Sequence, residues 1–187
     1  MPLLAKEIDV FPADLLDCLQ ADESPPGTCW WALYTRSRRE KQLMRQLAVL
    51  GIRFYSPLIE RRYRSPNGRV RISYQPLFSN YVFLYGDSSE RYTSLTTNCV
   101  SRCCEVNDGR QLIHDLRSIA RLIQTGRPLT PETQLKAGDR VRVKSGSLAG
   151  FEGTVLRRDK ETRLLVAVNF IKQGASVLLD DCQLEIL

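Results

Sequence analysis

At Lys136 the hydrophobic pattern changes from helices alternating with strands to short strands alone, and that break limits the chain to a two-module fold. The runs beyond it are Asp139–Lys144, Gly153–Arg158, Arg163–Phe170, Ser176–Leu179 and Gln183–Ile186. Turns at Ser145-Gly146, Asp159–Thr162 and Gln173-Gly174 divide them. Five short strands in about 50 residues predict a small β-barrel. Val141 and Val143 should point inward and Arg140, Arg142 and Lys144 outward, because side chains alternate along a strand. A domain this small buries little surface, so it depends on tight turns.

Before the break the elements are longer. Trp30–Thr35 is an aromatic strand. Arg38–Leu50 places Leu43, Leu47 and Leu50 at helical spacing, with Gly51 as a C-terminal cap. Ile52–Ile59 is a second strand, and Glu60–Gln75 alternates around Ser65-Pro66-Asn67-Gly68 as a β-ribbon. Leu77–Tyr85 reads as a strand with Tyr81 and Phe83 on one face and Val82 and Leu84 on the other. A short helix over Ser88–Thr97, a strand over Val100–Val106 and an amphipathic helix over Gln111–Thr125 follow. The order β-α-β-β-β-α-β-α predicts an α+β domain, a mixed sheet with flanking helices. The resulting division is an extension at 1–29 with a short helix over Pro12–Gln20, a first domain at 30–126, a linker at 127–137 and the barrel at 138–187.

Charge is distributed unevenly along these segments. The chain carries a net +6, but residues 30–75 alone carry +9 and residues 1–29 carry −5. Ten of the eleven cations in 30–75 are arginine, whose planar fork suits phosphate. Such a concentration is an electrostatic footprint for nucleic acid or for an acidic protein surface. The acidic extension could fold over it as a weak, salt-sensitive mask.

Chemistry of a catalytic kind has little to draw on. The six cysteines lack paired C-x-x-C spacing, and His114 is the single histidine. No phosphate loop or nucleophile elbow occurs, so neither an enzyme nor a metal or other cofactor is expected. The apolar runs are too short for a membrane span and the N-terminus lacks a signal-peptide pattern, which points to a cytoplasmic protein.

Residues 136–155 read KAGDRVRVKSGSLAGFEGTV, with Gly146, Gly150 and Gly153 supplying turn conformations closed to most side chains. This strand-loop-strand pattern resembles the KOW motif of ribosomal and transcription-elongation proteins. The opening Trp30-Trp31-Ala32-Leu33-Tyr34, the amphipathic helix, the basic ribbon and Pro76-Leu77-Phe78-Ser79-Asn80-Tyr81-Val82-Phe83 resemble the N-terminal (NGN) domain of the NusG family. With both domains in order, residues 30–187 are similar to a NusG-like elongation or antitermination factor. The barrel is then an SH3-like KOW domain. The family usually writes its motif P-L-F-P-x-Y-hydrophobic-F. Ser79-Asn80 here, with the arginine density, is closer to specialised paralogues such as RfaH than to the housekeeping form.

The resemblance implies sites. An apolar depression formed by Tyr34, Phe78, Tyr81 and Phe83 would grip the clamp helices of the RNA polymerase largest subunit. Tyr92-Thr93-Ser94 corresponds to a His-Thr-Thr patch that touches the polymerase gate loop, with tyrosine replacing histidine. Arg36, Arg38, Arg39, Lys41 and Arg45 on the first strand and helix would lie near upstream or non-template DNA. So would Arg61, Arg62, Arg64, Arg69 and Arg71 on the ribbon. The KOW domain would recruit a small-subunit ribosomal protein or the termination factor Rho, and the protein would act as a monomer. A ribosome-associated or RNA-binding KOW protein is the alternative, though it leaves the aromatic first domain unexplained.

Overall fold

The computed structural model describes residues 6–18, 25–64, 68–135, 138–158, 161–180 and 183–187. The chain divides into two compact units, residues 1–109 and 110–187.

The first unit is built on a five-stranded sheet in the order β1-β3-β6-β2-β7. Its strands are β1 (Val10–Phe11), β2 (Cys29–Thr35), β3 (Arg53–Tyr55), β6 (Tyr81–Gly86) and β7 (Val100–Glu105). Every pairing is antiparallel, which corrects the expected mixed sheet. The reason is the position of β6, which sits between β2 and β3 and runs against both. Helix α2 (Glu40–Val49) joins β2 to β3, so the crossover ends two places away rather than at a parallel neighbour.

Helix α2 buries Leu43, Met44 and Leu47 in a cluster with Trp31, Leu33, Phe54, Val82 and Leu84 from one face of the sheet. It ends as its sequence indicates. Gly51 takes φ +70°, its N–H bonds Ala48 O at 3.2 Å, and the Ile52 N–H reaches back to Leu47 O at 3.0 Å. Helix α3 (Ser88–Thr96) starts with a capping box: Asp87 accepts from the Ser89 and Glu90 N–H groups while Glu90 accepts from the Asp87 N–H. The cap is therefore Asp87, one residue before the serines.

Three other segments differ from expectation. The run 52–59 splits at Ser56-Pro57, with β3 in the main sheet and β4 (Leu58–Arg64) pairing only with β5 (Val70–Pro76). Proline has no N–H to continue the ladder. Residues 77–80 form a turn before β6, closed by the Tyr81 N–H on Phe78 O at 3.2 Å. The extension is part of the domain: β1 lengthens the sheet beside β3, and α1 (Leu15–Cys18) buries Leu15 and Leu16. The remainder of the expected helix, residues 19 and 20, and the ribbon turn at 65–67 lie outside the described residues.

The second unit is a six-stranded antiparallel sheet in the order β13-β9-β10-β11-β12-β8. Five strands lie near the runs the sequence marks: β9 (Arg140–Val143), β10 (Glu152–Arg158), β11 (Glu161–Val168), β12 (Gln173–Leu178) and β13 (Leu184–Ile186). Two expected turns are displaced: Glu161 and Thr162 open β11, and Gln173 and Gly174 open β12 by pairing with Val168 and Ala167. The chain therefore reverses at 169–172, where Lys172 takes φ +52°. The sixth, β8 (Leu129–Glu132), comes from the expected linker and pairs with β12. Buried Glu132 accepts from the Ser176 hydroxyl at 2.7 Å there, so this part of 127–137 is sheet rather than tether. Val141 and Val143 are buried, and Arg140, Arg142 and Lys144 are exposed. Gly146 and Gly150 both take φ +84°. Gly153 serves differently: a Cβ there would lie 2.3 Å from Leu165 O, so glycine is required for close strand approach, not for a turn.

Helix α4 (Gly109–Gln124) runs almost wholly in the second unit. Buried Asp115 accepts from the Asn169 backbone N–H at 2.9 Å, from Asn169 Nδ2 at 3.1 Å and from Gln111 Nε2 at 2.7 Å. The Arg121 guanidinium lies 5.3 Å from the Phe151 ring centroid. A cleft of about 580 Å³ between helix and sheet is lined by His114, Arg121, Arg140 and Glu152 among others. Its Glu152 is already paired with Arg142 at 2.6 Å, which holds that carboxyl below its ordinary range.

Candidate functional site

The face of the first sheet opposite α2 carries an aromatic row, because period-2 alternation sends Trp30 and Tyr34 of β2 and Tyr81, Phe83 and Tyr85 of β6 to the same side. Register brings them together. Trp30 opposes Tyr85 and Tyr34 opposes Tyr81 across the β2–β6 ladder. The Tyr34 and Tyr81 rings meet edge to face at 5.2 Å, Tyr81 stacks on Phe83 at 6.5 Å, and Phe83 meets Phe78 edge-on at 6.5 Å. The row is wet at one end only. Tyr34 is 37% exposed and Tyr81 partly so, whereas Phe78 and Phe83 are 1% and 0% exposed.

All four residues expected at the polymerase contact are thus contiguous, with two at the surface and two beneath. Burial, with the Tyr34 phenol beside it, pushes the Tyr81 phenol above the usual tyrosine value. The turn that carries Phe78 and leads into Tyr81 is held from three sides. The Thr35 N–H donates to Asn80 O at 2.8 Å, the Asn80 N–H donates to Glu40 Oε1 at 2.8 Å, and Asn80 Nδ2 makes a long 3.5 Å contact with the Tyr34 hydroxyl. Glu40 is nearly buried at the start of α2. Sequence reading had no local signal for its role, since the contact spans forty residues. Asn80 has φ +66°, a conformation glycine or asparagine adopts at least cost. Its presence therefore answers a backbone demand, and a glycine in the same motif would meet it equally.

The Tyr92-Thr93-Ser94 segment lies on α3, with Tyr92 exposed, Thr93 half-buried and Ser94 buried. Tyr92 is 67% exposed. Thr93 donates its hydroxyl to Ser89 O at 2.9 Å, and fully buried Ser94 donates to Arg91 O at 2.6 Å. Both hydroxyls close the helix's own carbonyls, the usual local use of Ser and Thr.

The expected basic residues are exposed, apart from half-buried Lys41. Arg36, Arg38 and Arg39 lie between β2 and α2, and Arg39 bonds Gln42. Arg45 on α2 is clasped by Glu7 of the extension at 3.0 and 2.7 Å, which holds the Glu7 carboxyl below its ordinary range. Among the described residues this is the one acid of the extension paired with the basic segment; Asp9 pairs with Lys6 instead. On the ribbon, Arg62 pairs with Glu60, and Arg61, Arg64, Arg69 and Arg71 are exposed.

Together these features define a two-module protein: an antiparallel α+β unit with an aromatic patch and a basic ribbon, followed by a β-rich unit. The family model described as "Transcription termination factor nusG" matches residues 28–135, and the model for the KOW motif matches residues 137–169. The first match covers more than half of the chain, which belongs to the NusG family of transcription elongation and termination factors. No curated protein matches it. Among the described residues no helix is long and apolar enough to cross a membrane.

Proposed function

We propose that this chain is an elongation and antitermination factor. It binds the clamp helices of the RNA polymerase largest subunit through Tyr34 and Tyr81, with Phe78 and Phe83 as the rigid base beneath. The observation that carries this reading is the surfacing of an otherwise buried aromatic row at one end of β2 and β6. Aromatic anchors on a packed base are the usual energetic centre of an interface. Tyr92 is the most exposed side chain of the Tyr92-Thr93-Ser94 segment and the one offered to the gate loop. The basic segment runs along upstream or non-template DNA, and the KOW domain takes a second partner, a small-subunit ribosomal protein or Rho. The protein performs no chemistry of its own. It suppresses pausing by binding the unpaused polymerase more tightly than the paused one, and its effect is bounded by that difference.

The reading as a specialised paralogue rests on the arginine density of residues 36–71, not on Asn80. Purified transcription on templates with known pause sites tests the function. Pause lifetimes should shorten as the protein is added, without ribosomes present. Unchanged lifetimes at saturating protein would favour the ribosome-associated or RNA-binding reading.

A further inference from the structure

The β4–β5 ribbon carries an exposed aromatic ring that the polymerase patch does not use. We propose that Tyr63 is a stacking platform for an unpaired base of single-stranded DNA, with Arg61 and Arg71 neutralising the flanking phosphates. The proposal rests on reading the basic ribbon as a nucleic-acid surface, and it names the strand chemistry that this surface takes.

Register sorts the ribbon into two faces. Leu58, Glu60 and Arg62 lie opposite Pro76, Tyr74 and Ile72 and share one face. That face is occupied: Leu58 is buried, Tyr74 packs against the hydrophobic core, and Glu60 binds Arg62. The other face begins at its base with buried Ile59 and continues outward with Arg61 and Tyr63 opposite Ser73 and Arg71. Tyr63 stands directly across from Arg71, at a Cβ separation of about 5 Å, and two residues from Arg61, about 7 Å along the strand.

Among the described residues, nothing internal explains the ring. It is 50% exposed on a two-stranded ribbon that joins neither larger sheet, and the core position nearby is filled by Tyr74. Among the described residues no arginine covers its face, and Arg61 and Arg71 have no carboxylate within ion-pair distance. A free ring between free cations is what an unpaired strand requires. The base supplies a π-face, which duplex DNA keeps inside its stack, and the phosphates supply the charge. An acidic protein surface would also meet the cations, and failure of the chain to bind a single strand is the outcome that would favour it.

The test is fluorescence anisotropy of the full chain with a thymidine oligomer of about 15 nucleotides, a size within single-strand sites. Tyr63→Ala should weaken binding roughly tenfold, the loss of one stacked base, while Tyr63→Phe keeps it. The slope of log affinity against log salt should be unchanged in Tyr63→Ala. In Arg61→Ala and Arg71→Ala it should flatten by about 0.7 each. A Tyr63→Ala variant that binds as wild type overturns the proposal. So does an equal loss on blunt duplex, or a loss confined to a uridine oligomer. Wild-type failure to bind the thymidine oligomer overturns it too, together with the nucleic-acid reading of the ribbon. Binding of Tyr63→Ala to a clamp-helix fragment should be unaffected, which keeps the polymerase reading separately testable.

Discussion

Tyr34→Ala and Tyr81→Ala should each weaken binding to an isolated clamp-helix fragment of RNA polymerase by about thirtyfold, the roughly 2 kcal/mol expected when an interface anchor is truncated. The two rings touch edge to face, so the double variant should lose less than the product of the single effects. Phe83→Ala provides the contrast. Its side chain has no exposure, and emptying that site should cost about 3 to 5 kcal/mol of fold stability. Its effect on affinity would follow from disturbing the ring of Tyr81 stacked above it. Isothermal titration with each variant, after urea unfolding has shown which remain folded, separates anchors from base. Full affinity in folded Tyr34→Ala and Tyr81→Ala would remove the patch from the interface.

The second large effect concerns the acidic extension, residues 1–29. An acidic segment facing a +9 surface reads as a detachable mask, whose removal should raise affinity for single-stranded DNA at low salt. The structure gives residues 9–16 of that extension a structural task. Val10 and Phe11 pair with Tyr55 and Phe54, the Ser56 N–H donates to Asp9 O at 2.7 Å, and Leu15 and Leu16 are buried. Burying two leucines contributes about 1.5 to 3 kcal/mol each, and the uncovered β3 edge would carry unpaired backbone groups. Deletion of residues 1–18 should therefore lower stability by about 3 kcal/mol or more, read as a lower urea midpoint. Any gain in DNA affinity should be limited to what freeing Arg45 from Glu7 supplies, which for an exposed, salt-screened pair is small. An unchanged midpoint would restore the view of the segment as a loose mask.

These two cases also mark what the sequence could reveal. Local rules served well where local forces decide. Gly51 closes α2, Val141 and Val143 alternate inward, and Tyr81 and Phe83 share a face opposite Val82 and Leu84. They failed where a distant partner decides. A two-residue strand such as β1 has no periodicity to detect, and β8 reads as a Pro-rich connection until β12 is beside it. The split at Ser56-Pro57 depends on which sheet each half joins, and the antiparallel order depends on β6 entering between β2 and β3. For the candidate site, the motif located an aromatic cluster that the fold makes contiguous, but not its depth. Phe78 and Phe83 are as apolar as an anchor should be, and only the fold puts them beneath Tyr34 and Tyr81. Tyr63 has no such signal, because a tyrosine in a basic strand carries no mark of whether its face is covered.

The central claim is that the Tyr34–Tyr81 end of the sheet lies on the polymerase clamp. The most direct measurement places a photo-crosslinking phenylalanine derivative at position 34, where the exposed side chain tolerates it, and irradiates the full chain with purified core RNA polymerase. The account predicts a crosslink to the largest subunit that maps within its clamp helices and is competed away by the isolated clamp-helix fragment. Crosslinks that map only to other subunits, or none at saturating protein, would contradict it.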